Sequence, residues 1–404
     1  MPFYVFPNEI EVNWGLFIVL YPYITGLVAG AFIVSSLYHV FGKSELKPLS
    51  RLSLITALAF LFVAPMPLLV HLGQPFRAFN IMFTPHLTSA MAGFGFIYSF
   101  YLILCLLETW FIYREDIVHY ASTSKGFTKV FYNILSLGAK DISPAALNTD
   151  HKVVSILAAI GIPSACFLHG YVGFIFGSIK ANPWWSTPLM PVIFLLSAIV
   201  SGIALLILIY RVSSWLRRQE MDLPCLMSLN RYLWVFLLLA SVLELLEVLH
   251  MGYESKGEWD MVRGLLTNEI PVTYLGVQMG FGVLMPLVLL PFGRWRRLSA
   301  GIRQLLTIIS GALVLIGVLA MRFNVVIGGQ LISKSLAGYA QFHWRLFSNE
   351  GIIPSLFILS LPLLILSAMV RVLPPWMGGA EGPKKDSMVT PFNIKLQPKA
   401  SGNK

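Results

Sequence analysis

Three ionisable side chains recur at three-residue spacing inside one apolar run of this sequence. Glu244, Glu247 and His250 lie in the stretch LELLEVLH, in which the other residues are Leu or Val. Steps of three residues turn an α-helix by about −60°, so the three side chains form one slanted stripe on a single helix face. A charged side chain at bilayer depth costs about 2.5–3.5 kcal/mol, so such a stripe is expected to face a cavity, a partner or a pathway.

Four further polar residues are predicted to reach a similar depth in other apolar runs. They are His71, His169 in the stretch FLHGYVGF, Arg322 and Asn324. His and Glu exchange protons when burial brings them toward neutrality, while Asn and Arg can hold an oxygen atom by hydrogen bonds. An apolar slot with such groups is what a quinone needs, because its ring and tail are apolar and its two oxygens gain and lose protons.

Other interpretations of the same residues remain open at this stage. Taken alone, His71 or His250 is more often an interfacial anchor than a functional residue, and Arg322 could extend to the membrane surface. His169 and His250 could ligate haem in an integral cytochrome b. Glu244 and Glu247 could instead serve an ion or solute transporter.

The composition requires a membrane-embedded helical fold. Of 404 residues, 56% are hydrophobic and 12% are charged, and the mean hydropathy is +0.74. Soluble domains carry about 25% charged residues. Runs of about 20 apolar residues without period-two alternation indicate helices rather than a barrel. We therefore predict an all-α polytopic bundle with nine spans, and the interval 114–152 leaves room for a tenth short helix. The predicted spans are Trp14–Phe41, Leu52–Leu72, Ser89–Tyr113, Val153–Gly177, Ser186–Tyr210, Tyr232–His250, Val272–Phe292, Leu305–Val326 and Ile352–Val370.

The basic residues predict the orientation of the bundle. Of the 29 Lys and Arg residues, 22 fall in alternate connections and in the C-terminal tail, which should therefore be cytoplasmic. The N-terminus is then outside and the C-terminus inside. The formal net charge of +10 is explained by these topological anchors and by contacts with anionic lipid, so no nucleic-acid partner is expected.

The remaining sequence features concern domains and cofactors. Residues 1–373 are predicted to form one transmembrane domain, and residues 374–404, rich in Pro, Gly and charge, a flexible cytoplasmic tail. The first residues contain Glu9 and Glu11 but no Lys or Arg, so a cleavable signal peptide is not expected. The three cysteines lie on separate segments without metal-ligand spacing, which predicts no iron–sulfur cluster and no metal site in this chain.

Several stretches resemble the NrfD-like family of polysulfide reductase membrane subunits, in particular its larger branch that includes HybB and DsrP. They are WGLFIVLYPYITGLVAGAFIVSS, LVHLGQPFRAFNIMFTPHLTSAMAGFG, HGYVGFIFGSIKANPWWSTPLMPVIFLLSAIVSGIAL and MRFNVVIGGQ. The resemblance implies a haem-free subunit of an oxidoreductase complex in the cytoplasmic membrane. Such a subunit exchanges electrons between the quinone pool and a ferredoxin-like iron–sulfur subunit at the outer face.

Resemblance to the DsrP-like branch further implies that the quinone is menaquinone and that the protein serves anaerobic respiration with sulfate reduction. It also implies that the complex contains additional membrane and cytoplasmic subunits. The larger branch has ten spans where we predict nine. The His and Asn that smaller family members place in the first span are replaced by Tyr21 and Tyr23.

From the residues and the resemblance together, we predict a menaquinone site near His71, His169, Glu247 and His250. His169 and Glu247 are the predicted proton-exchanging pair. Arg322 and Asn324 are expected to close or orient the outer rim of this site.

The predicted orientation can be tested by cysteine accessibility. A cysteine at Ser255 should react with a membrane-impermeant thiol reagent added outside, whereas one at Ser299 should not, because the charge distribution puts these loops on opposite faces. The reverse labelling pattern would invert the topology and move the polar layer to the cytoplasmic side.

Overall fold

The computed structural model describes residues 10–86, 88–254 and 257–376. Within them, nine helices are long and apolar enough to cross a membrane, which confirms the predicted span count and the polytopic helical fold. We call the bundle end that carries His71 and Leu331 the outer end, following the charge-based orientation. The nine helices are α1 Leu16–His39, α2 Ser44–His71, α3 Ala90–Thr123, α4 Pro144–Gly177, α5 Met190–Leu216, α6 Leu223–Glu254, α7 Val272–Gly293, α8 Ala300–Leu331 and α9 Ile352–Val372.

The interval between α3 and α4 contains a short helix, Gly126–Leu135. This helix packs on the bundle through Trp110, whose Nε1 donates to the carbonyl of Leu135 at 3.0 Å. Tyr132 is buried, and its hydroxyl donates to the carbonyl of Val372 at 2.7 Å. Both α3 and α4 have 34 residues, about 51 Å at 1.5 Å per residue, and so extend well beyond a hydrocarbon core of about 30 Å.

Helices α1 and α5 form the centre of the bundle, and α6, α7 and α9 lie at its periphery. In the most apolar window of α1, 94% of the residues are buried, against 17% in α6 and 22% in α7 and α9. The outward faces of the peripheral helices are leucine- and phenylalanine-rich and suit contact with lipid. Of the polar groups on the peripheral helices, Glu244 of α6 and Gln278 of α7 face inward, where Gln278 bonds both Glu244 and Asn324 of α8.

Two pairs of glycines let helices cross with their backbones in contact. A Cβ atom on Gly30 of α1 would lie 2.3 Å from the Ala198 carbonyl oxygen of α5, and one on Gly202 would lie 2.3 Å from the Gly30 Cα. Gly282 of α7 and Gly317 of α8 meet in the same way. Small residues at such crossings are typical of membrane helices, which associate through close packing.

The outer end of α1 is held by the segment that precedes α9. Glu350 accepts the backbone N–H of Gly15 at 2.8 Å and also contacts His71 Nδ1 at 2.5 Å. Arg345 pairs with Glu11 at 2.6 Å. These contacts fix the N-terminus of α1 relative to α2 and α9.

Two sequence-based predictions fall largely on residues that the structure does not describe. Most of the predicted tail 374–404 lies beyond residue 376, and Ser255 also lies outside the described ranges. The domain boundary at 373 and the orientation of the termini stay predictions.

The Gly30–Gly202 crossing can be tested by stability. Gly30→Val should lower the free energy of unfolding in mild detergent by at least about 1–3 kcal/mol, because the added methyl groups meet the α5 backbone rather than a movable side chain. Gly276→Val in α7 is the matched control, since apart from the adjacent backbone of its own helix no heavy atom lies within 4 Å of its added Cβ. Equal stability of the two variants would contradict the close crossing.

Candidate functional site

A widened helical turn near the outer end of α8 positions Arg322 and Asn324, two of the predicted site residues. The α-helical part ends at Phe323, and Asn324–Gly328 form a π-helical turn. Trp184 and Trp185, in the connection before α5, donate their indole N–H groups to the carbonyls of Asn324 and Val325 at 3.2 Å and 2.6 Å. π-helical turns often occur at functional sites. This turn is thus fixed by side chains from a separate segment.

Arg322 is a fully buried cation at the end of this helix. Its Nη2 donates to Ser197 Oγ at 2.6 Å, to His169 Nε2 at 3.0 Å and to the Phe194 carbonyl at 3.4 Å. Its guanidinium carbon lies 4.0 Å from the centroid of the Phe194 ring. Among the described residues no carboxylate forms an ion pair with Arg322, and its Nε and Nη1 have no hydrogen-bond acceptor. These two donors are available to a ligand.

The contact with Arg322 fixes the protonation of His169. An arginine cannot accept a hydrogen bond, so His169 Nε2 must be the unprotonated, accepting nitrogen. The ring is then neutral and carries its proton on Nδ1. Nδ1 is buried and has no partner among the described residues. Gly26 of α1 makes room for this ring, because a Cβ there would lie 3.1 Å from His169 Cε1.

A series of amide and carboxyl groups connects α8, α7 and α6. Asn324 Nδ2 donates to Gln278 Oε1 at 2.7 Å, and Gln278 Nε2 donates to Glu244 Oε1 at 3.1 Å. Gln278 is buried in the π-helical segment Val272–Leu284. Because the amides orient one another, the Glu244 carboxyl is held in one position beside α7.

These groups border a small apolar cavity between α5, α6, α7 and α8, which we call the slot. Its volume is about 40 Å³. Its walls are mainly aromatic and aliphatic, with Glu244, Glu247, Gln278 and Asn324 as the main polar groups. The lining residues are Trp184, Thr187, Met190, Ile193, Glu244, Glu247, Val248, Met251, Tyr274, Gln278, Met321, Asn324 and Val325. An apolar cavity with a few oriented polar groups is the usual form of a small-molecule site.

The structure separates the six predicted site residues into three places. His169 and Arg322 are in direct contact, and Asn324 lines the slot two residues beyond Arg322. Glu247 lines both the slot and a second cleft that opens toward the outer end, and His250 lies only in that cleft. His71 lies elsewhere, paired with Glu350 at the start of α1.

The positions of the two histidines bear on the haem alternative. His169 Nε2 is bonded to Arg322, whereas His250 is 64% exposed and lines the outer cleft. They do not form an opposed pair across one cavity. Among the described residues, no group of three or more His, Cys, Asp and Glu side chains could hold a metal ion.

Sequence reasoning missed four residues of this region. Gln278 is a single amide in an apolar run, Ser197 is one of many serines, and the pair Trp184–Trp185 resembles an interfacial aromatic belt. A neutral amide deep in a predicted span was the available signal for Gln278. Gln278 is the residue that donates a hydrogen bond to Glu244.

Comparison with known proteins now identifies the family. Residues 6–334 match the model of the family described as polysulphide reductase, NrfD. The chain belongs to the NrfD family. It is a multi-pass integral membrane protein, and membrane subunits of this family are parts of reductase complexes that interact with quinones and with iron–sulfur electron-transfer subunits.

Individual relatives agree with this assignment. The sequence is 31% identical over 322 residues to the C subunit of selenate reductase from Mesobacillus selenatarsenatis, with 78% of this protein and 73% of the relative aligned. It is 26% identical to protein NrfD of Escherichia coli, with 79% and 95% aligned. It is 23% identical to the Hdr-like menaquinol oxidoreductase integral membrane subunit of Archaeoglobus fulgidus, with 52% and 45% aligned.

The support of Arg322 by Ser197 can be tested directly. Ser197→Ala should lower the free energy of unfolding in mild detergent by about 1–3 kcal/mol, because it removes the nearest acceptor of a buried charged donor. Ser164→Ala in α4 is the control, since that exposed hydroxyl bonds only its own helix at Ile160. A loss in the control as large as in Ser197→Ala would show that Ser197 does not support Arg322 specifically.

Proposed function

We propose that this protein is the menaquinone-reactive membrane subunit of a respiratory oxidoreductase complex. In this proposal it exchanges electrons between menaquinol or menaquinone in the slot and an iron–sulfur subunit docked at the outer face. The observation that carries the proposal is the buried Arg322, whose Nε and Nη1 have no acceptor among the described residues and whose α8 neighbours Met321 and Asn324 line the slot.

The donors and acceptors match the two oxygens of a quinone. The free N–H groups of Arg322 can donate to one carbonyl oxygen. Glu244, oriented by Gln278, can exchange a proton with the opposite oxygen. Quinol oxidation releases two protons and two electrons, and the electrons leave singly to the iron–sulfur partner.

The neutral state of His169 refines the predicted proton-exchanging pair. Protonation of its Nε2 would break the contact with Arg322 and put two cations together in a buried place. We therefore assign His169 to positioning the Arg322 guanidinium, whose free N–H groups hold the quinone oxygen. We assign proton exchange to Glu244 and to the predicted Glu247, which both line the slot.

The slot must widen to accept a quinone ring, since about 40 Å³ holds little more than one water molecule. Met190, Met251 and Met321 line it. Methionine has three rotatable bonds and fills irregular spaces, so these side chains can move aside at low cost. The peripheral position of α6 and α7 suits passage of the isoprenoid tail between them to the lipid.

Two further points support the choice of quinone and partner. The name of the Archaeoglobus relative includes menaquinol, and that relative aligns with 52% of this protein. The cysteines Cys105, Cys166 and Cys225 stand on three different helices, so a one-electron carrier is expected in a neighbouring subunit. A role in sulfate reduction, and the further membrane and cytoplasmic subunits implied by the DsrP-like branch, stay predictions.

Replacement of the slot carboxyl tests the function. In the assembled complex, Glu244→Gln should reduce menaquinol turnover about 100-fold or more, because the amide keeps the shape but exchanges no proton. Glu108→Gln is the matched control, since Glu108 is a buried carboxyl in α3 away from the slot. Wild-type turnover in Glu244→Gln, or an equal loss in the control, would contradict the proposal. Binding of a quinone analogue should persist in both variants.

A further inference from the structure

A second cavity opens beside the slot toward the outer end of the bundle, and we call it the outer cleft. Its volume is about 290 Å³, and many of its walls are polar. It lies between the connection that precedes α5, the outer end of α6 and the short helix Glu258–Gly264. The lining residues are Lys180, Pro183, Ser186, Thr187, Pro188, Glu247, His250, Met251, Glu254, Glu258, Trp259 and Val262.

The slot and the outer cleft meet at three shared residues. Thr187, Glu247 and Met251 line both cavities. Of these, only Glu247 has an ionisable side chain. The Glu247 carboxyl therefore stands at the boundary between the apolar slot and the polar cleft.

Proton-exchanging side chains continue from this boundary along α6. Glu244, Glu247, His250 and Glu254 follow at intervals of three or four residues and share one slanted face. The ten residues from Glu244 to Glu254 rise about 15 Å along the helix axis. His250 Nε2 lies 3.8 Å from Glu254 Oε1.

The stripe also passes from buried to water-exposed surroundings. Glu244 borders the slot, Glu247 is half-buried, and His250 is exposed. Lys180 and Glu258 are the other ionisable groups that line the cleft. Aqueous contact therefore begins within about two helical turns of the slot.

We propose that this stripe carries protons between the slot and the water of the outer face, with Glu247 as the relay between the two cavities. This inference rests on the proposed quinone site. Each quinol that is oxidised gives two protons, which pass through Glu244 and Glu247 to the cleft while two electrons pass to the partner's one-electron carrier. For quinone reduction the same groups act in the opposite direction.

In the relay, Glu247 and the cleft transfer protons. Neither quinone binding nor helix packing needs this transfer, so the relay can be tested separately from both. Protons are exchanged with one side of the membrane only, the side on which the outer cleft opens. Blocking the cleft should slow menaquinol turnover without changing the affinity of the slot for a quinone. Replacing Glu247 should have the same consequence, and a residue that still exchanges protons should restore turnover.

The cleft can be blocked at Ser186, an exposed residue of its wall. In the assembled complex with Cys166 replaced by Ala, Ser186→Cys should react with an impermeant maleimide added from outside. The adduct should then reduce menaquinol turnover about 10-fold or more, because proton transfer to water is lost. Asn349→Cys, labelled in the same way on an exposed outer residue away from the cleft, should keep normal turnover. Failure of Ser186→Cys to react, or full turnover after labelling, would overturn the relay.

Substitutions at Glu247 separate this inference from the quinone site itself. Glu247→Gln should lose turnover with unchanged affinity for a quinone analogue, and Glu247→Asp should recover much of it. If Glu244→Gln loses turnover but Glu247→Gln does not, the relay is wrong and the quinone site stands. If quinone analogues do not bind the wild-type complex at all, the quinone site itself is wrong.

Discussion

The rest of this bundle depends on how it holds the buried cation of Arg322, which forms no ion pair with a carboxylate of the described residues. Moving a cation out of water costs several kcal/mol even after the protein relaxes, so the site must supply acceptors. Ser197, the Phe194 carbonyl, the Phe194 ring and His169 Nε2 supply them to Arg322. None of these groups carries a negative charge, so the positive charge of Arg322 is not neutralised. This charge favours binding of an electron-rich ligand atom at the free Nε and Nη1 donors.

The helix packing serves to keep these groups in place. The Gly30–Gly202 crossing draws α1 against α5, and Gly26 leaves space for the His169 ring. The tryptophans of the 178–189 connection bind the carbonyls of the widened turn of α8. On the opposite side, Gln278 transmits the position of Asn324 to Glu244. These contacts join α1 to α4 and α5, the 178–189 connection to α8, and α7 to both α6 and α8, so the site forms only when these elements are assembled.

Part of this could be predicted from the sequence. The nine spans follow from hydropathy, and the direct contact of His169 with Arg322 agrees with their predicted common depth, because each interrupts an apolar run. What depth does not determine is the direction in which a side chain points around its helix. His71 faces Glu350 rather than the slot, and His250 faces the outer cleft. The tautomer of His169 and the role of Gln278 depend on neighbours from other helices, and no local pattern encodes them.

The most direct test of the central claim is to identify where a quinone binds in the assembled complex. A photoreactive menaquinone analogue, cross-linked and mapped by mass spectrometry, should modify the residues around the slot, in particular Met190, Met321 and Trp184. The modification should be competed by menaquinol and should be lost in Arg322→Gln. Cross-links confined to the His71–Glu350 region, or unaffected by loss of Arg322, would contradict the placement of the quinone beside this arginine.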